Sequence, residues 1–99
     1  MTATVRFITG GGGMNGPTDS AKVISEQDLT NSATSAATTI TAPSASDVLC
    51  VIYTDTNLRV AFGSSPTATT SAGPWAYSGV ANAFRDVTPG DAVAVIDAT

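Results

Sequence analysis

Sixteen consecutive residues constrain this chain more than any others. They are Val48-Leu49-Cys50-Val51-Ile52-Tyr53, the polar link Thr54-Asp55-Thr56-Asn57, and Leu58-Arg59-Val60-Ala61-Phe62-Gly63. The first run is apolar on both faces, as a central strand covered on each side requires. The second alternates Leu58, Val60 and Phe62 against Arg59 and Ala61, the pattern of a half-buried strand. Two such runs around a short polar link predict a hairpin at the heart of an all-β domain.

The rest of the chain repeats the theme on a smaller scale. Residues 4–9 read as a short strand, and Lys22-Val23-Ile24 as another. Ser25-Glu26-Gln27-Asp28-Leu29 reads as a single helical turn with Ser25 and Asp28 as a weak capping pair. Residues 31–41 are Ser, Thr and Ala with only Ile40 bulky, and residues 38–42 suit an edge strand. The segment 64–74, with Pro and Gly near its ends, is long enough to cross between sheets. Trp75 and Tyr77 alternate with Ala76 and Ser78 on a short strand, and residues 83–87 form the next, with Phe84 in the core. Thr88-Pro89-Gly90-Asp91 is a strong turn, after which residues 92–96 close the domain as a buried strand. Short strands punctuated by Gly and Pro, without a long helical period, predict a small antiparallel β-sandwich or jelly-roll-like barrel of about seven or eight strands.

The N-terminal end is expected to differ in kind. Val5, Phe7 and Ile8 precede Gly10-Gly11-Gly12-Gly13, so residues 1–16 read as an extended arm with a glycine-rich tether, and residues 17–99 as the sandwich. An apolar segment on such a tether can pair with a neighbouring molecule's sheet edge, or dock on its own domain. Gly11, Gly13 and Gly16 match G-x-G-x-x-G, and Gly11, Gly16 and Thr18 match the outer positions of a phosphate-binding loop. Pro17 stands where that loop needs its lysine, and no amphipathic helix follows to offer amides to a phosphate.

With 99 residues there is room for one core and no second domain. Only 12% of residues are charged, about half the usual share, so the surface is polar but mostly neutral, as suits permanent contact with neighbours. Arg6, Lys22, Arg59 and Arg85 are widely spaced among eight acidic residues, and the net charge of −4 repels phosphate backbones, so no nucleic-acid partner is expected. No stretch approaches the ~20 apolar residues of a membrane span, and no basic segment followed by an apolar one opens the chain. Synthesis in the cytoplasm without export, and no membrane partner, are the expectations.

The side chains offer little for catalysis. There is no histidine, which removes Ser-His and Cys-His sites, and Cys50 sits in the most apolar run, where it serves as a small buried hydrophobe rather than a reactive thiol. Asp47, Asp55, Asp86, Asp91 and Asp97 fall in loops and strand ends, where aspartates form turns, so paired carboxylates would need two of them to converge. No metal, cofactor or enzymatic activity is predicted. Trp75 and Tyr77 suit anchorage of a core edge or a subunit interface, with a sugar-stacking platform as the other use of such a pair.

In the second half, Val60-Ala61-Phe62-Gly63-Ser64-Ser65-Pro66-Thr67-Ala68 and Val87-Thr88-Pro89-Gly90-Asp91-Ala92-Val93-Ala94-Val95 form a pattern that resembles small β-sandwich virion proteins of tailed bacteriophages. These are capsid decoration (cement) proteins and related head-fibre or tail modules. The resemblance covers residues 48–96. It implies a structural protein of the capsid's outer surface that binds between major capsid protein subunits and stabilises the head. It also implies a homo-oligomer, often a trimer, and carries no catalytic residue. Val5, Phe7 and Ile8 on the arm and Trp75 and Tyr77 on the rim are the expected contact residues, with packing inside one chain as their other role. A receptor- or glycan-binding head-fibre or tail module is the alternative.

Overall fold

A computed structural model describes residues 2–9, 22–44, 48–85 and 87–98. Among these residues eight strands follow one another: β1 (Thr2–Thr9), β2 (Lys22–Thr30), β3 (Ala36–Ala37), β4 (Leu49–Thr54), β5 (Leu58–Gly63), β6 (Trp75–Ala76), β7 (Asn82–Phe84) and β8 (Ala92–Asp97). They form two four-stranded sheets, in the orders β2-β1-β4-β7 and β3-β8-β5-β6. Every pairing is antiparallel, and the chain is an all-β sandwich. Counted from β2 with β1 taken last, the two orders become 1-8-3-6 and 2-7-4-5, the strand order of a jelly roll with its chain opened at a different point.

The core lies between the sheets and is made by alternation. From one sheet come Ala3, Val5 and Phe7 of β1 and Cys50 and Ile52 of β4; from the other come Leu58 and Val60 of β5 and Val93 and Val95 of β8. Phe7, Ile52 and Leu58 are the largest side chains wholly removed from solvent, and each contributes roughly 1.5–3 kcal/mol by that removal. The outer face of the second sheet has its own cover: Ala68, from the segment after β5, packs on Ala61, Ala94 and Ile96.

Several expectations are corrected. β4 and β5 are not a hairpin, because β4 pairs with β1 and β7 whereas β5 pairs with β8 and β6. The two apolar runs face each other across the core, and the polar link is an arch from sheet to sheet. Thr54 begins the bend: its Oγ1 donates to Thr56 O (2.7 Å) and accepts from Thr56 N (3.2 Å). Segment 64–74 does not cross between sheets but returns to pair β6 with β5, since β8 is buried on both faces and needs the cover of Ala68. The expected helical turn at 25–29 is part of β2. There Gln27 and Leu29 lie on the face of Val5 and Ala3, while Glu26 pairs with Arg6 and Asp28 accepts from Thr4 Oγ1 (2.7 Å). The edge strand expected over 38–42 does not form, and no strand covers those residues; the edge strand is β3, the two residues Ala36–Ala37 just before them. Beyond β3 the Thr38 hydroxyl takes Val93 N (3.0 Å) and donates to Ile40 O (2.8 Å), which interrupts the regular ladder.

The arm is corrected too. β1 lies between β2 and β4 in the interior of its own sheet, so the segment docks on its own domain and the division at residue 16 does not separate an arm from a sandwich. The glycine-rich tether and its motif matches lie outside the described residues.

Candidate functional site

The most developed surface feature is built on the passage from β6 to β7. In the register of β5 with β6, Arg59 stands opposite Trp75 on the outer face of the second sheet. Its guanidinium carbon lies 4.1 Å from the centre of the Trp75 ring, a cation–π contact, and Nη1 donates to Gly73 O at 2.5 Å. Tyr77, two residues along and on the same side, stacks on Trp75 with ring centres 6.1 Å apart and planes inclined by 11°. Trp75 is partly buried and Tyr77 is half exposed.

Beyond Tyr77 the chain turns from one sheet to the other, and Asn82 fixes the turn. Its amide nitrogen donates to Tyr77 O (2.9 Å), Val80 O (3.1 Å) and Ile52 O (3.0 Å), while its Oδ1 accepts from Tyr77 N (2.9 Å). Asn57 Oδ1 accepts from Ser78 N (3.0 Å), and Gly79 N donates to Thr54 O (3.1 Å). A loop held by these bonds presents two half-exposed apolar side chains, Tyr77 and Val80, to solvent. Ordering costs are thereby met within the fold rather than on association, as suits a contact surface.

Next to this stack, a groove of about 290 Å³ opens between β5 and the segment that returns to β6. Val60, Ala61, Phe62 and Pro74 supply its apolar wall, with Thr67 and Thr69 opposite. Its lining contains no ionisable side chain, so it offers space for a small apolar group and nothing to move a proton.

The carboxylates serve the fold. Asp55 accepts from Thr2 N at 3.1 and 3.2 Å, Asp97 accepts from Thr56 Oγ1 at 2.9 Å, and Asp91 closes its turn by accepting from Thr88 N at 3.0 Å. Asp55 and Asp97 are linked at the arch by way of Asn31 and Thr56: Asn31 Nδ2 donates to Thr54 Oγ1, Asp55 Oδ1 and Thr56 Oγ1 (3.1, 3.3 and 2.9 Å), and Thr56 Oγ1 in turn donates to Asp97. Asp47 and Asp86 lie outside the described residues. Among the described residues no three His, Cys, Asp or Glu side chains gather as metal ligands would, and no helix is long and apolar enough to cross a membrane. Cys50 is wholly buried, and burial pushes its thiol up to about 12.

Of the five expected contact residues, two are corrected: Val5 and Phe7 are fully buried inside their own domain, because they are the inward positions of an interior strand. Ile8 stays partly exposed on the opposite face of β1, on a different sheet from Trp75 and Tyr77, so the three do not form one patch. Sequence reasoning passed over Arg59, Val80 and the two pinning asparagines, Asn57 and Asn82. The available signal was the run Tyr77-Ser78-Gly79-Val80 with an asparagine just beyond it, a tight turn that a side-chain amide can close. No protein-family model, curated protein or solved structure matches the chain.

Proposed function

We propose that this chain is a structural protein of a tailed-bacteriophage virion, a decoration protein that binds between major capsid protein subunits and stabilises the head. The observation that carries this is the Asn82-pinned loop, which holds Tyr77 and Val80 exposed beside the Arg59–Trp75 stack. Preordered aromatic and apolar groups next to arginine are what the centre of a protein interface uses. The likeness of residues 48–96 to decoration proteins adds to it, as does the low surface charge. A protein that binds the assembled shell and not its free subunits stabilises the shell by mass action, at every site it fills. Self-association, a trimer by the same likeness, would multiply the contacts of each unit.

A second reading is a glycan- or receptor-binding module of a head fibre or tail. The near-parallel Trp75 and Tyr77 rings favour it, although the Arg59 guanidinium lies over the indole and occupies a face that a sugar would need.

Counting this chain against the major capsid protein in purified particles, by quantitative mass spectrometry, tests the proposal. A ratio near one, or a simple fraction of it, is expected. A handful of copies per particle would move the chain to a neck, tail or fibre, and complete absence would sink the virion reading. Tryptophan fluorescence that shifts on addition of host polysaccharide, but not of capsids, would favour the glycan module.

A further inference from the structure

Four strands form the edges of the two sheets, and three of them are very short: β7 has three residues, β3 and β6 two each. The fourth is β2, with nine. Among the described residues, the backbone of β2 is hydrogen-bonded to β1 and to nothing else. Gln27 does reach the other sheet, where its Oε1 accepts from Thr39 N (2.7 Å) and Ile40 N (3.2 Å), but this uses its side chain. The outward amides and carbonyls of such an edge are a template for one more strand.

Register and charge decide what that strand is. Phe7 faces Ser25 whereas Ile8 faces Val23, so Ile24 is an extra residue and the regular ladder covers residues 25–30. Glu26 and Asp28 are exposed there on the outer face. Arg6 holds the one and the Thr4 hydroxyl the other.

Suppose first that the added strand were β2 of a second copy. A closed antiparallel pair has its twofold axis perpendicular to the sheet, so residues of the same face stand opposite one another. An axis through position 26 sets Glu26 against Glu26, one through 28 sets Asp28 against Asp28, and one through 27 sets Glu26 against Asp28 twice. Like charges directly opposite destabilise a strand pair. An axis through position 25 avoids these pairs but runs into the bulge at Ile24, and one through 29 avoids them only by leaving no more than residues 28–30 of the strand paired. The edge is therefore guarded against its own copies.

The same two carboxylates favour a strand of opposite charge. Beside them Val23 and Ile24 remain 52% and 45% exposed, an apolar continuation of the same surface. We propose that β2 is a strand-addition site for an extended segment of another protein, one with basic side chains over Glu26 and Asp28 and an apolar residue near Val23. The site stands whether or not the chain belongs to a virion, so the copy count above tests a separate matter.

Titration of the isotope-labelled protein with two synthetic peptides, one alternating lysine with valine and the other glutamate with valine, followed by amide NMR shifts, is the test. The lysine peptide should shift amides of residues 22–30 selectively, and the glutamate peptide should bind roughly tenfold more weakly, as two lost cross-strand charge pairs imply. In Asp28→Lys, an exposed change whose folding the same spectrum reports, the preference should weaken or invert. No shift with either peptide, equal affinities in the wild type, or shifts centred away from β2 would overturn the inference, and so would an unchanged preference in a folded Asp28→Lys.

Discussion

Gly73 shows how much of the surface stack rests on one backbone position. Its φ is +91°, and a Cβ there would come within 2.3 Å of the Val60 carbonyl oxygen, which is backbone and cannot swing away. Gly90 shares the φ of +91° but has open space around its missing Cβ. Gly90→Ala should therefore cost only the left-handed conformation, about 1 kcal/mol, whereas Gly73→Ala should cost roughly 2–3 kcal/mol. It should also disturb the Val60 N to Pro74 O bond and the Arg59 contact with Gly73 O. Urea denaturation checks the order of the two, and a change in Trp75 emission confined to Gly73→Ala checks the second effect. Cys50 makes a pH prediction. Burial raises its thiol from the ordinary 9.0 to about 12, so the folded state favours the neutral form more than the unfolded state does. That contribution is fully present below about pH 9 and is lost as pH rises from there toward 12. The stability difference between the wild type and Cys50→Ala should accordingly narrow between about pH 8 and pH 11, and a constant difference would mean that the thiol stays accessible to ionisation.

Between strands, the polar arch after β4 decides the topology, and Asn31 is its brace. The side chain is 8% exposed and gives its amide hydrogens to oxygens of Thr54, Asp55 and Thr56. Asn31→Asp removes the donors and sets a buried carboxylate beside Asp55. It should lose roughly 2 kcal/mol at neutral pH. Because the new carboxyl would be held above its unfolded pKa, part of the loss should return as pH falls toward 4.5, relative to the wild type over the same interval. Denaturation curves at the two pH values decide it. The arch was also where the sequence was hardest to read. Residues 48–53 and 58–62 announce two strands by their apolar pattern, but hairpin and arch share the same local signal, and the difference lies in bonds from Asn31, far away in the chain. β2 was hidden for a related reason: Ser25, Glu26, Gln27 and Asp28 carry no apolar alternation, and what makes them a strand is Arg6, Thr4 and Val5 on β1. By contrast the turn at residues 88–91 and the strand after it were legible, since Pro89, Gly90 and the Asp91 carboxylate act on their immediate neighbours. At the surface stack, the aromatic pair could be read, but Arg59 joins it only through the register of β5 with β6.

At the scale of the whole molecule, the placement of β1 makes the strongest demand. It separates β2 from β4, brings Val5 and Phe7 into the core, and completes the jelly-roll order as the strand that would follow β8. Its beginning and the end of β8 meet at the arch: Asp55 N donates to Thr2 O (3.4 Å), and two residues along Ala98 N donates to Asn57 O (3.2 Å). A strand tied there by a new connection would enter the sheet from the side it already occupies. Removal of residues 1–9 should therefore abolish cooperative unfolding, because β2 loses its partner and the core its largest side chain. A circular permutant that starts at Lys22 and carries residues 1–9 after Thr99, through a short Gly/Ser linker, should instead recover the native amide dispersion. Its stability should lie within about 1–2 kcal/mol of the wild type, the difference expected from a changed loop closure. Were the truncated chain to unfold as cooperatively as the full one, β1 would be an accessory arm after all. A permutant without dispersed amides would mean that the link between β1 and β2 is required for folding and that proximity at the arch is not enough.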